Sequence, residues 1–164
     1  MKNKEIKLVA KQNMERIDRK FEIEEILPRI PDCLLSNKNY KREILDGHLI
    51  NFNSLRLITF KLKGITCIEC GIKGSFFVKE RFFSIGGPYH LNLYALDENN
   101  NEILMTRDHI VPKFKDGKNS IDNMQTMCRI CNQLKDHPQL TICPICNGEK
   151  KAIEMFCKNC VAVV

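Results

Sequence analysis

Apolar residues near the start of the chain recur at helical intervals. Ile6, Val9, Ala10, Ile17 and Phe21 alternate with Lys and Arg, which predicts a helix over 1–27. Pro28 and Pro31 end it. A second short helix is expected over 36–46. The run from Ser54 to Lys63 fits a helix or a strand, and Gly74-Ser-Phe-Phe-Val78 begins a strand. The clearest element is a hairpin over 90–107. His90 to Leu96 alternates, Asp97 to Asn101 is turn chemistry, and Glu102 to Arg107 returns. A polar loop follows from Lys113 to Asp122, then a short apolar stretch, Met124 to Met127. Cys128 to Asp136 reads as a helix stopped by Pro138. No internal repeat is visible beyond recurring cysteine pairs.

Those cysteines change the picture most. Eight of the nine form C-x-x-C pairs: Cys67/Cys70, Cys128/Cys131, Cys143/Cys146 and Cys157/Cys160. The first amino acids, Met1 to Glu5, include no apolar run, so no secretory signal is predicted. No stretch approaches the roughly 20 apolar residues of a membrane helix. A cytoplasmic chain keeps its thiols reduced, so paired cysteines point to metal ligands rather than disulfides. Two tight turns complete one tetrahedral Zn²⁺ shell, so four pairs predict two structural zinc sites. The expected pairing joins Cys67/Cys70 to Cys128/Cys131, and Cys143/Cys146 to Cys157/Cys160. The second set has ten residues between its pairs and makes a compact ribbon; the first encloses 57, enough for a folded insert. A rival pairing joins Cys128/Cys131 to Cys143/Cys146, 11 residues apart. A fully filled shell leaves no open position, so these ions would support the fold and not react. Cys33 stands alone and is expected to be a buried free thiol.

Charge adds less. The formal net charge is +6; eight thiolates contribute −8 and two Zn²⁺ contribute +4, leaving about +2. Residues 1–45 hold 11 Lys/Arg against 8 Asp/Glu, whereas residues 91–140 hold 6 against 7. A basic arm beside a cation-holding segment suits phosphate binding, and equally an ordinary solvated surface.

The order Asp108-His109…Asn123…Cys128-x-x-Cys131-Asn132-x-x-Lys135 resembles the HNH endonucleases, specifically the zinc-bound branch that includes many bacteriophage and restriction-type enzymes. The match runs from Cys67 to about Lys135. The resemblance implies a ββα-metal fold: two antiparallel strands, a loop and a helix around one catalytic divalent ion. It implies Asp108 and Asn132 on that ion, His109 as general base, and Asn123 as the loop residue on which the imidazole leans. The residue types make chemical sense independently. Imidazole titrates near neutral pH, and two protein oxygens with phosphate and water suit Mg²⁺ or Mn²⁺. Two departures stand out. The third signature position is Asn132 rather than histidine, which favours a hard, oxygen-binding ion. The loop has one glycine, Gly117, where relatives often have two.

The expected fold is therefore α+β: a ββα-metal core with a four-cysteine zinc site, an N-terminal helical segment and a C-terminal four-cysteine zinc ribbon. The expected divisions are 1–53, a helical arm; 54–138, the nuclease domain; and 139–164, the ribbon. The expected function is a DNA endonuclease or nickase acting by one-metal hydrolysis. Arg107, Lys113, Lys115, Lys118, Arg129 and Lys135 are candidate contacts to DNA phosphate. The alternative is a non-catalytic zinc-ribbon DNA-binding or interaction module of a phage or mobile-element complex, with the N-terminal arm meeting a protein partner. Neither a monomer nor a homodimer is implied.

Overall fold

A computed structural model describes residues 14–34, 41–82, 87–136, 140–142 and 149–151. Its centre is a five-stranded sheet in the order β1-β4-β5-β6-β7, antiparallel throughout. The strands are β1 (Met14–Phe21), β4 (Gly74–Phe82), β5 (His90–Leu96), β6 (Glu102–His109) and β7 (Met124–Cys128). Two further two-stranded sheets are formed by the hairpin of β2 (Arg42–Leu45) and β3 (His48–Asn51) and by the short pair β8 (Leu140–Ile142) and β9 (Glu149–Lys151). The helices are α1 (Ile23–Ile26), α2 (Leu55–Lys63) and α3 (Arg129–Asp136). Among the described residues no helix is long and apolar enough to cross a membrane.

The core joins residues from both sides of position 54. Phe21, Ile50 and Phe52 are buried in one cluster with Phe60, Phe77, Leu93 and Met105. On β6 the odd position Met105 faces this core, so by strand alternation Thr106 and Asp108 face the other way. That second face is where α3 lies, since Asn132 and Lys135 bond Thr106 and Asp108.

Two expected elements are different. Of the helix expected over 1–27, Met14 to Phe21 is a strand, Ile23–Ile26 is one helical turn, and the earlier part lies outside the described residues. Ile17 and Phe21 are four apart, a spacing that suits a helix and equally a strand, whose period is two. Pairing with β4 decides the matter. Phe21 stands opposite Phe77, while Arg16 reaches Glu102 at 2.5 Å and Arg81 reaches Glu15 at 2.6 Å. The short helix expected over 36–46 is, from Arg42 onward, the first arm of the β2–β3 hairpin. Asp46 and Gly47 have φ of 48° and 77°, both left-handed, as a two-residue hairpin turn requires. Fully buried Lys79 pins that turn. Its Nζ donates to Leu45 O at 3.0 Å and to Asp46 O at 2.7 Å, and lies 3.1 Å from His48 Nδ1.

The ambiguous run after Ser54 is helix α2. The Ser54 side chain accepts from Leu57 N, an N-cap, and Gly64 at φ 86° ends the helix. The strand begun at Gly74, the hairpin of β5 and β6, and helix α3 stand where the pattern placed them. Cys33 is exposed, not buried, because it follows the last short helical turn into open chain.

Candidate active site

The site begins with a sulfur cluster. The Sγ atoms of Cys67, Cys70, Cys128 and Cys131 all lie within 4.8 Å of one another, an arrangement that could hold a metal ion such as zinc. Cys67 and Cys70 come from a knuckle after α2. Its turn is closed by Gly71 N donating to Cys67 O at 3.0 Å and Cys67 N donating to Ile72 O at 2.9 Å. Gly71 has φ 76°, which a residue with a Cβ adopts only under strain. Cys128 ends β7 and Cys131 lies in the first turn of α3. Two bonds fasten the knuckle to β7: Ile68 N to Thr126 O at 3.0 Å, and Thr126 Oγ1 to Gly64 O at 2.6 Å. Burial pushes the Cys67 thiol up, but backbone amides of Cys70, Cys128 and Glu69 outweigh it, and its pKa falls to about 7. Burial raises Cys128 to about 11 and also raises Cys131. Raised values of this kind leave Cys128 and Cys131 protonated without a cation, and four thiolates packed this closely would need one to share their charge. The other expected set, Cys143, Cys146, Cys157 and Cys160, lies outside the described residues.

The sulfur cluster fixes where α3 starts, and α3 then lies over β6. Asn132 Nδ2 donates to Thr106 Oγ1 at 3.1 Å, and that hydroxyl donates onward to Met127 O at 2.9 Å. The relay has one direction, so the amide nitrogen of Asn132 is committed, and among the described residues its oxygen Oδ1 has no partner. Asp108 is nearly buried, its side chain 12% exposed. Its Oδ2 accepts from Gln125 Nε2 at 2.8 Å and from Lys135 Nζ at 2.6 Å. Gln125 stands directly opposite Asp108 in the β6–β7 register. Among the described residues no side chain bonds Asp108 Oδ1. Lys135 also donates to His109 O at 2.7 Å, so one ammonium ties both residues to α3.

His109 ends β6. Its Nε2 lies 2.7 Å from Asn119 Oδ1. An amide oxygen only accepts, so Nε2 carries the proton and Nδ1 holds the free lone pair. Asn119, not Asn123, is thus the side chain against the imidazole. Asn123 does something else: it closes the loop. Its Oδ1 accepts from Val111 N at 2.8 Å, and its Nδ2 donates to Val111 O at 3.0 Å and Lys118 O at 2.9 Å. Ile110 N adds a bond to Asn123 O at 2.9 Å. Gly117 is required by space. A Cβ there would stand 1.8 Å from Val111 O and 2.8 Å from Pro112 O, both backbone atoms.

Residues 97–139 match the family model of the HNH endonucleases. This segment belongs to that family. The HNH segment spans β6, the loop, β7 and α3, which are the elements carrying Asp108, His109, Asn123 and Asn132. It implies nuclease activity in general. No curated protein and no solved structure matches the chain.

The candidate DNA contacts divide into three groups. Lys113, Lys115, Lys118 and Arg129 are exposed around the HNH loop. Arg107 is half-buried, with its guanidinium 3.4 Å from Met124 Sδ. Lys135 is committed to Asp108 and His109. Thr106, Asn119 and Gln125 were not apparent from the sequence, because strand register and loop closure bring them to the site. Only the period of two along β6 offered a signal, for Thr106.

Proposed function

We propose that the chain is a DNA endonuclease or nickase that hydrolyses phosphodiester bonds, with His109 as general base and Asp108 and Asn132 as ligands of one divalent ion. The observation that carries this reading is the committed state of each side chain. Among the described residues, His109 Nδ1 and the Oδ1 atoms of Asp108 and Asn132 have no hydrogen-bond partner. Two neutral-to-anionic oxygens form a donor set suited to Mg²⁺ or Mn²⁺, not to a sulfur-loving ion. A bound divalent ion supplies Lewis-acid stabilisation of charge on the phosphate and leaving oxygen.

The protein's own residues do the rest. His109 Nδ1 takes a proton from water as its oxygen attacks phosphorus, and the bond from phosphorus to the leaving oxygen breaks. That oxygen then takes a proton from solvent. Asn119 keeps the proton on Nε2, so the lone pair stays at Nδ1. Gln125 and Lys135 hold the Asp108 carboxylate, and Thr106 holds the Asn132 amide. Lys113, Lys115, Lys118 and Arg129 position the backbone of the DNA by phosphate contact. The reading extends to zinc in the Cys67/Cys70/Cys128/Cys131 cluster and a second zinc at Cys143, Cys146, Cys157 and Cys160, as structural ions.

The test is nicking of supercoiled plasmid by the purified full chain in Mg²⁺ or Mn²⁺. His109→Ala and EDTA serve as controls. The expected result is relaxed circles with wild type and none with either control. Intact plasmid with folded wild type across several DNA substrates refutes the enzyme reading. Cutting by His109→Ala at the wild-type rate refutes the mechanism.

A further inference from the structure

The loop that follows His109 turns its apolar side chains outward. Ile110 is 50% exposed, Val111 45% and Phe114 82%, the largest exposure of any large hydrophobic residue among those described. The loop is nevertheless closely held. Lys115 N and Gly117 N both donate to Pro112 O, at 2.9 and 3.1 Å, and Asp116 N donates to Lys113 O at 3.1 Å. With the closure made by Asn123, Phe114 sits on a short, tied turn five residues beyond His109. Its neighbours Lys113 and Lys115 are exposed, and Lys115 Nζ lies 5.8 Å from the Phe114 ring.

An aromatic ring on a tied turn between two cations suits one kind of partner. Protein–protein interfaces are depleted in lysine at their centre. A nucleic acid presents regularly spaced phosphates with apolar base faces between them. Proteins that bend DNA insert apolar side chains between base steps while cations hold the flanking phosphates. We propose that Phe114 is such a wedge. It enters the base stack of DNA beside the phosphate on which His109 acts, with Lys113 and Lys115 on neighbouring phosphates. This inference rests on the nuclease reading above. It also names a substrate preference: DNA whose steps unstack readily, such as pyrimidine–purine steps, mismatches and junctions.

The experiment uses the full zinc-loaded chain and duplexes carrying 2-aminopurine at successive positions, without added Mg²⁺ or Mn²⁺ so that no cleavage occurs. Wild type and His109→Ala should raise 2-aminopurine emission severalfold at one or two adjacent positions. Phe114→Ala should abolish the rise while still binding DNA by anisotropy, and Phe114→Leu should keep part of it. In Mg²⁺, Phe114→Ala should cut a matched duplex about tenfold more slowly, equivalent to about 1.4 kcal/mol of barrier. It should cut a mismatched one at nearly the wild-type rate. No emission change with wild type, or an undiminished change with Phe114→Ala, overturns the wedge. A Phe114-dependent emission change without any cleavage by wild type upholds the wedge and overturns the hydrolysis reading.

Discussion

Replacing Asn119 by alanine should slow cleavage while leaving DNA binding intact. The side chain makes one contact to His109, its Oδ1 standing 2.7 Å from Nε2. A hydrogen bond of this kind has a net value of about 1 kcal/mol, which is about fivefold in rate if it is worth that much only in the transition state. That is the lower bound, since losing it also frees the ring to turn or to move its proton to Nδ1. The upper bound is the whole contribution of a general base, about ten-thousandfold at most. Asn119→Ala should therefore fall between these limits in kcat with KM unchanged. Asn119→Asp tests the sign. A carboxylate against Nε2 favours the protonated ring, and the neutral base then forms only at higher pH. The acidic limb of the rate profile should move upward. The assay is single-turnover cleavage of an end-labelled duplex between pH 5.5 and 9, with anisotropy for binding. Asn119→Ala at the wild-type rate, or an unmoved limb in Asn119→Asp, refutes the role. Asn123→Ala gives the contrast: by opening the loop it should weaken binding and rate together, without moving the limb.

Gly117→Ala should disrupt the same loop, because its Cβ would meet Val111 O at 1.8 Å. Overpacking against backbone costs about 1–3 kcal/mol, read as a lower denaturation midpoint and faster proteolysis between residues 110 and 123. Cys70→Ser should remove one zinc per chain by elemental analysis, and loosen α3 enough to lose cleavage, whereas Cys33→Ser should change neither. Acid should destabilise the fold through three carboxylates. Hydrogen bonds from Tyr89 and Arg81 lower Glu15, one from Lys79 lowers Asp46, and those of Asn101 lower Asp97. Each favours folding above the ordinary carboxylate value of about 4 and loses that effect as pH falls through its lowered value. Guanidinium midpoints from pH 5 to pH 2.5 should decline, less steeply in Asp46→Asn; a flat profile refutes the pairing.

The parts legible from sequence were those written in local pattern. Alternation set the β5–β6 hairpin, and the C-x-x-C spacing marked the two knuckles that the fold brings together at Cys67, Cys70, Cys128 and Cys131. The misplaced parts turned on ambiguous spacing. Ile17 and Phe21 satisfy two periods at once, and only the partner strand with Phe77 resolves them. The Asp46-Gly47 pair was a readable hairpin signal, and the helical run assigned across it obscured it. Lys79 shows a different limit. A lysine in a strand suggests solvent, yet this one is fully buried because three oxygens of a turn over thirty residues away converge on it.

The same distinction explains the site. Sequence order points to the side chains of the proposed site, since Asp108 and His109 are adjacent and Asn132 follows Cys131. It does not identify the atoms. Each of those side chains has two candidate atoms, and which one is available depends on what holds the other. Asn119 holds Nε2 of His109, Gln125 and Lys135 hold Oδ2 of Asp108, and Thr106 holds Nδ2 of Asn132. Gln125 is supplied by register with β7, Thr106 by the face of β6 beneath α3, and Asn119 by a loop whose closure depends on Asn123 and Gly117. The sulfur cluster enters this account directly. It joins the end of β7 to the start of α3, and those two elements carry Gln125, Lys135 and Asn132. Loss of a metal there would release the partners that hold the proposed ligand side chains of Asp108 and Asn132, while the contact between Asn119 and His109 would remain.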